Sequence, residues 1–283
     1  RTREILEKFA ATHPKFRVLS LSPDLPVIAS PKKRALESAF KIAKYDVLLT
    51  IDADCIPRKS WITSMAGRFT DGICIVQGPK QNSGNHSLLH LYQKLETLGY
   101  TAMEAAGFSL GHPIIASATC LAYKKELFFA AGGFGELINL SSGDDDMLIH
   151  KMMKVPGTKV CYNLDKDAVI ETAPVNTWKQ LFNQRARWSS NGTNYESKAY
   201  VLLLTLIYTY YIWMFISPWC VAFLDCPWQW CAFSIAPKIV VDFVFLMTAS
   251  WKLHTKRRML AFIPTEFIQI PLIVFAVPAG IAG

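Results

Sequence analysis

Two carboxylates, Asp52 and Asp54, follow directly after the short apolar segment 47–51. We interpret this segment, which is rich in β-branched residues, as a buried parallel strand of an α/β domain. Ligands bind at the carboxyl ends of such strands, and residues i and i+2 of an extended chain point the same way. The pair could therefore hold Mg²⁺ or Mn²⁺ on a diphosphate, since these hard cations prefer oxygen ligands. A solvated turn is the alternative, because aspartate is common after strands.

A second acidic cluster consists of the consecutive residues Asp144, Asp145 and Asp146, which precede an apolar helical pattern. Like charges repel one another, so the cluster costs stability unless cations or a helix N-terminus compensate it. One interpretation is that one aspartate caps the helix while the others are solvated. The other is that one of them is a general base, which must be held in the path of a hydroxyl proton.

A helix predicted from residue 177 places Gln184, Arg187 and Trp188 on one face, because they are three and four positions apart. Arginine binds phosphate oxygens through its planar fork, and an indole can stack on a sugar ring. This face therefore suits a diphosphate beside a sugar. Alternatively, Trp188 is an interfacial anchor ahead of a membrane segment.

Helical and extended patterns alternate on both sides of Asp52, which indicates βαβ units. Ser30 and Pro31 are typical of a helix start, as cap and first helical residue respectively. Further strands are predicted at residues 16–21, 73–78, 114–123, 159–162 and 168–171.

The C-terminal part of the chain is markedly apolar. Residues 199–224 contain no charged side chain, and a helix of ~20 apolar residues is long enough to cross a bilayer. Residues 231–251 and 259–281 are predicted as two further spans. Lys238 and Asp242 lie four positions apart in the second span and are expected to pair on one helix face.

Basic residues before residue 199 and in the loop 252–258 predict that both of these ends lie inside. We therefore expect residues 1–198 to form a cytoplasmic domain and residues 199–283 a membrane domain, in a multi-pass protein of the inner (plasma) membrane. The first residues already have a helical pattern, so a first strand is expected upstream of this sequence.

The composition limits the possible partners. The 283 residues carry a formal net charge of +8, but no long basic run or nucleic-acid motif, and a membrane surface explains this charge better than nucleic acid. The seven cysteines include no C-x-x-C pair, which argues against a zinc site or a disulfide framework.

Taken in order, these motifs resemble those of the membrane-bound family 2 glycosyltransferases, which include cellulose, chitin and hyaluronan synthases. The resemblance covers nearly the whole chain. Its carriers are Asp52-Ala53-Asp54, Gly143-Asp144-Asp145-Asp146 and Gln184-Arg185-Ala186-Arg187-Trp188, followed by the membrane segments. The resemblance implies a GT-A fold, an α/β domain that binds a nucleotide-diphosphate sugar, followed by transmembrane helices.

The resemblance also implies roles for the two acidic motifs. Asp52 would contact the nucleotide side of the donor, and Asp54 would coordinate the divalent metal on the diphosphate. Asp145 would remove the proton from the acceptor hydroxyl, with Asp144 or Asp146 as alternatives.

Two other segments match the family's donor and acceptor motifs. Gln184, Arg187 and Trp188 match its Q-x-x-R-W pattern, which contacts the diphosphate and the acceptor sugar. Lys32 resembles the donor-binding lysine of a G-K-x-x-A-L segment, although Pro31 stands here in place of the glycine.

The expected function is an inverting transfer of a sugar from a nucleotide-diphosphate sugar to a hydroxyl group at the cytoplasmic membrane face. The acceptor would be a glycan, a polysaccharide or a lipid-linked compound, and membrane lipids would be further partners. Two other classes stay open. One is a metal-dependent nucleotidyl or phosphoryl transferase, and the other is a non-catalytic membrane scaffold of glycan assembly.

Overall fold

The computed structural model describes residues 1–21, 30–140, 143–190, 192–252 and 256–282. Within these residues an α/β part is followed by three long apolar helices. The α-helices are α1 (Thr2–Thr12), α2 (Pro31–Ile42), α3 (Trp61–Ala66), α4 (Leu88–Ser109), α5 (Lys125–Ala130), α6 (Asp146–Met152), α7 (Trp178–Ser189), α8 (Lys198–Phe223), α9 (Trp228–Lys252) and α10 (Phe262–Ala282). The strands are β1 (Val47–Thr50), β2 (Cys55–Pro57), β3 (Ile73–Gln77), β4 (Lys80–Asn82), β5 (Leu121–Lys124), β6 (Lys159–Tyr162) and β7 (Ile170–Thr172).

The strands form two mixed sheets, with the orders β1-β5-β3-β6 and β2-β7-β4. Strand β1 pairs with β5 in the antiparallel direction, so the parallel strand predicted for residues 47–51 is wrong. An apolar run shows that a strand is buried, but the direction of its neighbour depends on a segment more than 70 positions away. Parallel pairing occurs between β3 and β6 and between β4 and β7.

Two predicted strands differ from the structure. Residues 16–21 have no regular secondary structure and pair with no described strand. The strand predicted at 114–123 begins only at Leu121, because Ala118–Cys120 form a 3₁₀ turn. This turn places Ala118 and Thr119 at the edge of the sheet, beside the end of β1.

The larger sheet is covered on both faces. On one face Phe40 of α2, Phe128 of α5 and Leu148 of α6 share one core with β1, β3 and β5. On the other face Trp61 and Met65 of α3 pack against Val76 and Cys120. Burial on both faces fixes the ends of β1, α2 and α6 relative to one another.

Local sequence signals set the starts of the helices that matter for function. Ser30 caps α2, its hydroxyl accepting a hydrogen bond from the Lys33 amide at 3.4 Å, and Pro31 is the first helical residue, as predicted. Helix α7 begins with a capping box between Thr177 and Gln180, which satisfies two backbone donors that the first turn would otherwise leave unpaired.

Helices α8 and α9 and residues Met259–Ala282 are each long and apolar enough to cross a membrane. The third of these segments also supports the α/β part. Gly280 of α10 lies against the backbone of Ala186 in α7, and Leu272 belongs to the same cluster as Leu181. Helix α7 is therefore held in place by α10.

One buried ionic group joins α9 to α10. The Lys238 ammonium donates to Asp242 Oδ2 at 2.7 Å and to Gln269 Oε1 at 2.9 Å, and it also pairs with Glu266. The predicted pairing of Lys238 with Asp242 is confirmed. These contacts give the ammonium three acceptors, which offsets the cost of burying the charge.

Candidate active site

The turn after β1 holds the first pair of carboxylates. The buried Thr50 hydroxyl donates to the carbonyl oxygens of Ala118 (2.9 Å) and Leu121 (3.1 Å), which ties the end of β1 to the neighbouring turn. From the same turn the Thr119 hydroxyl donates to Asp52 Oδ2 at 3.0 Å. Asp52 is therefore oriented by its neighbour, whereas the Asp54 side chain is exposed.

Lys32, at the start of α2, joins the two acidic motifs. Its ammonium nitrogen lies 2.7 Å from Asp52 Oδ1 and 2.6 Å from Asp144 Oδ2. Burial alone would lower the pKa of Lys32, but the charges and hydrogen bonds of Asp144 and Asp52 outweigh it and raise the pKa above its ordinary value. Lys32 is therefore a fixed positive charge between the two motifs.

Asp145 caps α6 and faces the same region. Its Oδ1 accepts the Asp146 amide at 2.9 Å, and its Oδ2 lies 3.4 Å from the Ala118 amide nitrogen. Burial, followed by the negative charges of Asp146 and Asp144, raises the pKa of Asp145 well above its ordinary value. A carboxylate with a raised pKa is a stronger proton acceptor, which is the property of a general base.

The other two aspartates of this cluster have different partners. Asp144 is paired with Lys32, while Asp146 accepts the Met147 amide at 2.8 Å and the Tyr195 hydroxyl. Asp145 pairs with no cation or tyrosine: it accepts from two backbone amides and interacts with the Asp146 side chain.

A divalent cation fits best at Asp52 and Asp54. Ligand atoms of these two residues and of Cys55 all lie within 4.8 Å of one another. Burial raises the pKa of the Cys55 thiol to about 11, so the thiol stays protonated near neutral pH, and it donates to Asp54 Oδ1 at 3.4 Å. Two carboxylates without a thiolate suit Mg²⁺ or Mn²⁺ and leave further coordination positions for phosphate oxygens.

Arg185 of α7 is buried, whereas Arg187, the arginine of the Q-x-x-R-W pattern, is exposed. Its guanidinium donates to Glu96 Oε1 at 2.8 Å and also pairs with Glu96 Oε2, and it donates to Gln184 Oε1 at 2.6 Å. The same guanidinium lies 4.1 Å from the centre of the Trp188 ring, within the range of a cation–π contact. Gln184 and Trp188 are therefore held together through Arg185.

Arg187 lies on the exposed side of α7 and forms no ion pair within the described ranges. The structure therefore brings together Gln184, Arg185 and Trp188, and Arg187 stands apart from them. A contact between Arg187 and the diphosphate stays a prediction.

A cavity of about 510 Å³ lies between α4, α7, α8 and α10. Its polar part is lined by Arg185, Trp188 and Tyr195, and aliphatic side chains such as Leu204 and Ile273 line its walls. Because Tyr195 also binds Asp146, the cavity adjoins the acidic cluster. One end can accommodate polar groups, and the rest suits hydrocarbon.

Sequence reasoning missed four residues of this arrangement: Thr119, Glu96, Arg185 and Tyr195. The Glu96–Arg185 pair joins positions 89 apart, for which the sequence offers no local signal. Arg185 and Trp188 are three positions apart, so their common helix face was a usable signal.

Comparisons with known proteins identify a family. The profile of the family described as "Glycosyl transferase family 21" matches residues 1–277. No curated protein matches the sequence. A solved structure titled "Crystal Structure of a Mycobacterial Protein" is 15% identical, with a TM-score of 0.36 over 64% of this chain, and the chain spans 57% of that structure's chain.

Proposed function

The chain belongs to glycosyl transferase family 21, and we propose that it transfers a sugar from a nucleotide-diphosphate sugar to a lipid hydroxyl, with inversion at the sugar carbon. The observation that carries this proposal is the position of Lys32, which contacts Asp52 and Asp144 at 2.7 and 2.6 Å beside Asp145. The Lys32 ammonium, a candidate metal site and a candidate general base thus lie in one region. The resemblance to family 2 enzymes supports a GT-A arrangement of the α/β part.

The donor would lie over the turn after β1. Asp54, with Asp52, would hold a Mg²⁺ or Mn²⁺ ion, which supplies positive charge to the leaving diphosphate when it is bound. The Lys32 ammonium would bind a phosphate oxygen, because its side chain is 48% exposed and can lean away from Asp144. Asp52 would retain its hydrogen bond from Thr119 and orient the nucleotide side.

Asp145 would be the general base. The acceptor oxygen attacks the sugar carbon from the face opposite the diphosphate, the bond from that carbon to the diphosphate oxygen breaks, and the hydroxyl proton passes to Asp145. The raised pKa of Asp145 favours this proton transfer. Attack from the opposite face inverts the configuration.

The apolar lining of the cavity favours a lipid over a polysaccharide as the acceptor. Its walls include Leu204, Ile273 and Val277, where the hydroxyl groups of a sugar chain would lose their hydrogen bonds to water. Acyl chains could lie against these residues while the reacting hydroxyl lies near Trp188 and Tyr195. The distribution of Lys and Arg supports a reaction at the cytoplasmic face of the membrane.

The test is nucleoside diphosphate release by the protein in membranes, with a panel of UDP and GDP sugars and Mg²⁺ or Mn²⁺. Asp54→Ala should lower release by about 100-fold or more if the metal clamp is lost. Asp46→Ala is the matched control, because Asp46 is exposed ahead of β1 and outside the site. Release of pyrophosphate would indicate a nucleotidyl transferase, and no release with any donor would indicate a scaffold.

A further inference from the structure

The segment between α7 and α8, residues 192–197, lies against α6, the helix that begins at the acidic cluster. Three contacts hold it there. The Tyr195 hydroxyl donates to Asp146 Oδ2, the Tyr195 ring lies 5.7 Å from the His150 ring, and Glu196 pairs with Lys154. We call residues 192–197 the connecting segment.

The connecting segment contacts two residues of α6 and one residue just after this helix. Asp146 and His150 are four residues apart and lie on one side of the helix, and Lys154 is in the turn that follows it. The connecting segment therefore runs along that side, and its contact nearest to the acidic cluster is the hydrogen bond from Tyr195.

Tyr195 contributes to two neighbouring structures. Its side chain lines the cavity together with Trp188, and its hydroxyl binds Asp146. Burial and the charge of Asp146 raise the pKa of Tyr195 above its ordinary value, so the phenol keeps its proton and acts as a donor. It is thus the residue through which the cavity contacts the acidic cluster.

The orientation of Asp146 affects Asp145. Both carboxylate oxygens of Asp146 are engaged, one by the Met147 amide at 2.8 Å and the other by Tyr195. The Asp146 amide in turn donates to Asp145 Oδ1 at 2.9 Å. The Asp146 side chain already interacts with the Asp145 carboxyl group, which raises the pKa of Asp145, and a carboxylate of Asp146 that lost Tyr195 would be free to turn further towards Asp145.

We propose that Tyr195 is a positioning residue for the transfer reaction: it holds Asp146 towards the connecting segment, so that Asp145 is the carboxylate presented to the acceptor hydroxyl at the edge of the cavity. This inference rests on the proposed function, because it concerns the acceptor side of the same site. Tyr195 keeps its own proton throughout, and the acceptor proton passes to Asp145.

The first test is Tyr195→Phe, which retains the ring in the cavity wall and removes only the hydroxyl. Loss of a hydrogen bond to a charged group predicts a fall in kcat of about 10-fold to 100-fold, with the KM for the acceptor changed less than about 3-fold. The control is Tyr210→Phe, which removes a hydroxyl that binds the Ser234 carbonyl in the helical part and should leave kcat unchanged. An unchanged kcat in Tyr195→Phe would overturn the proposal.

A double-mutant cycle tests whether Tyr195 acts through Asp146. Asp146→Ala and the double variant Tyr195→Phe/Asp146→Ala should have the same kcat within about 2-fold, because removing Asp146 removes the carboxylate through which the hydroxyl acts. Multiplicative losses in the double variant would show that Tyr195 acts independently of Asp146, which contradicts the proposal.

A second readout needs no enzymatic activity. Amide hydrogen exchange of Gly192, whose amide donates to the Ser189 carbonyl at 2.9 Å, should be at least about 10-fold faster in Tyr195→Phe than in the wild type and in Tyr210→Phe, because the connecting segment opens more often. Unchanged exchange would show that the Tyr195 hydroxyl does not hold the connecting segment against α6, which contradicts the proposal. A wild-type protein that shows this protection but no transferase activity would overturn the proposed function and, with it, the positioning role.

Discussion

The ammonium nitrogen of Lys32 lies 2.6 Å from Oδ2 of Asp144, so the start of α2 is bound to the acidic cluster ahead of α6. The same nitrogen contacts Asp52 at the end of β1. Three separate elements thus meet at one positive charge. Because the two carboxylates already compensate Lys32, an incoming diphosphate must compete with Asp144 for it.

Lys32→Met should weaken donor binding by about 10-fold or more, since a charge-assisted hydrogen bond contributes about 1.5–3 kcal/mol. The KM for the nucleotide sugar measures this effect. Lys41→Met, which removes a surface lysine paired with Glu37 on the same helix at 3.2 Å, should leave the KM unchanged. Equal KM values for both variants would show that Lys32 does not bind the donor.

The pH dependence of transfer should reflect the raised pKa of Asp145. A general base works only when it is deprotonated, so kcat should be low in acid and rise through a midpoint well above 3.8, the ordinary value for aspartate. Asp144→Asn removes one of the negative charges that raise this pKa, so its midpoint should move to lower pH. An identical midpoint in both proteins would contradict this account.

Arg185→Met should destabilise the protein by about 3–5 kcal/mol, because it leaves the Glu96 carboxylate buried without its cationic partner. Both side chains are only 10% exposed, so water gives little compensation. Unfolding in detergent or lipid would measure the loss. Arg187→Met is the matched control on the exposed side of α7 and should change stability by less than about 0.5 kcal/mol.

The double variant Arg185→Met/Glu96→Leu distinguishes an unpaired charge from lost packing. It should recover part of the stability that Arg185→Met loses, since no buried charge remains. A further loss in the double variant would mean that the contact of Arg185 with Trp188, at 4.1 Å from the ring centre, contributes more than the ion pair.

Gly280→Ala should loosen the contact between α10 and α7, because a Cβ at this position would meet the Ala186 carbonyl oxygen inside van der Waals distance. Overpacking of this kind costs about 1–3 kcal/mol. Gly99→Ala is the control: its Cβ would lie 3.6 Å from Leu246 Cδ2, and alanine is favoured over glycine within a helix by ~1 kcal/mol. Relative to the wild type, the thermal unfolding midpoint should be lower in Gly280→Ala and higher in Gly99→Ala.

Local patterns were sufficient to predict most of the elements that carry the site, but not the 3₁₀ turn Ala118–Cys120, which was predicted as part of a strand. The strand before Asp52, the Ser30 cap and the three apolar C-terminal segments all follow from short-range periodicity and capping chemistry. The antiparallel pairing of β1 with β5 did not follow, since it joins residues more than 70 positions apart.

The choice between Arg185 and Arg187 could not be made from spacing alone. Gln184, Arg187 and Trp188 share a face by the helical repeat, but so do Arg185 and Trp188. The packing of α7 against α4 and α10 decides which arginine is buried, and Glu96 of α4 selects Arg185. Tyr195 escaped prediction because it lies outside regular secondary structure.

The most direct test of the account is single-turnover sugar transfer by Asp145→Asn, measured together with binding of the nucleotide sugar. Asparagine has nearly the same shape as aspartate but cannot accept the acceptor proton. We expect the transfer rate to fall by about 10²-fold to 10⁴-fold while the Kd for the donor stays within about 3-fold of the wild-type value. Transfer at the wild-type rate by Asp145→Asn would contradict the assignment of Asp145 as the base.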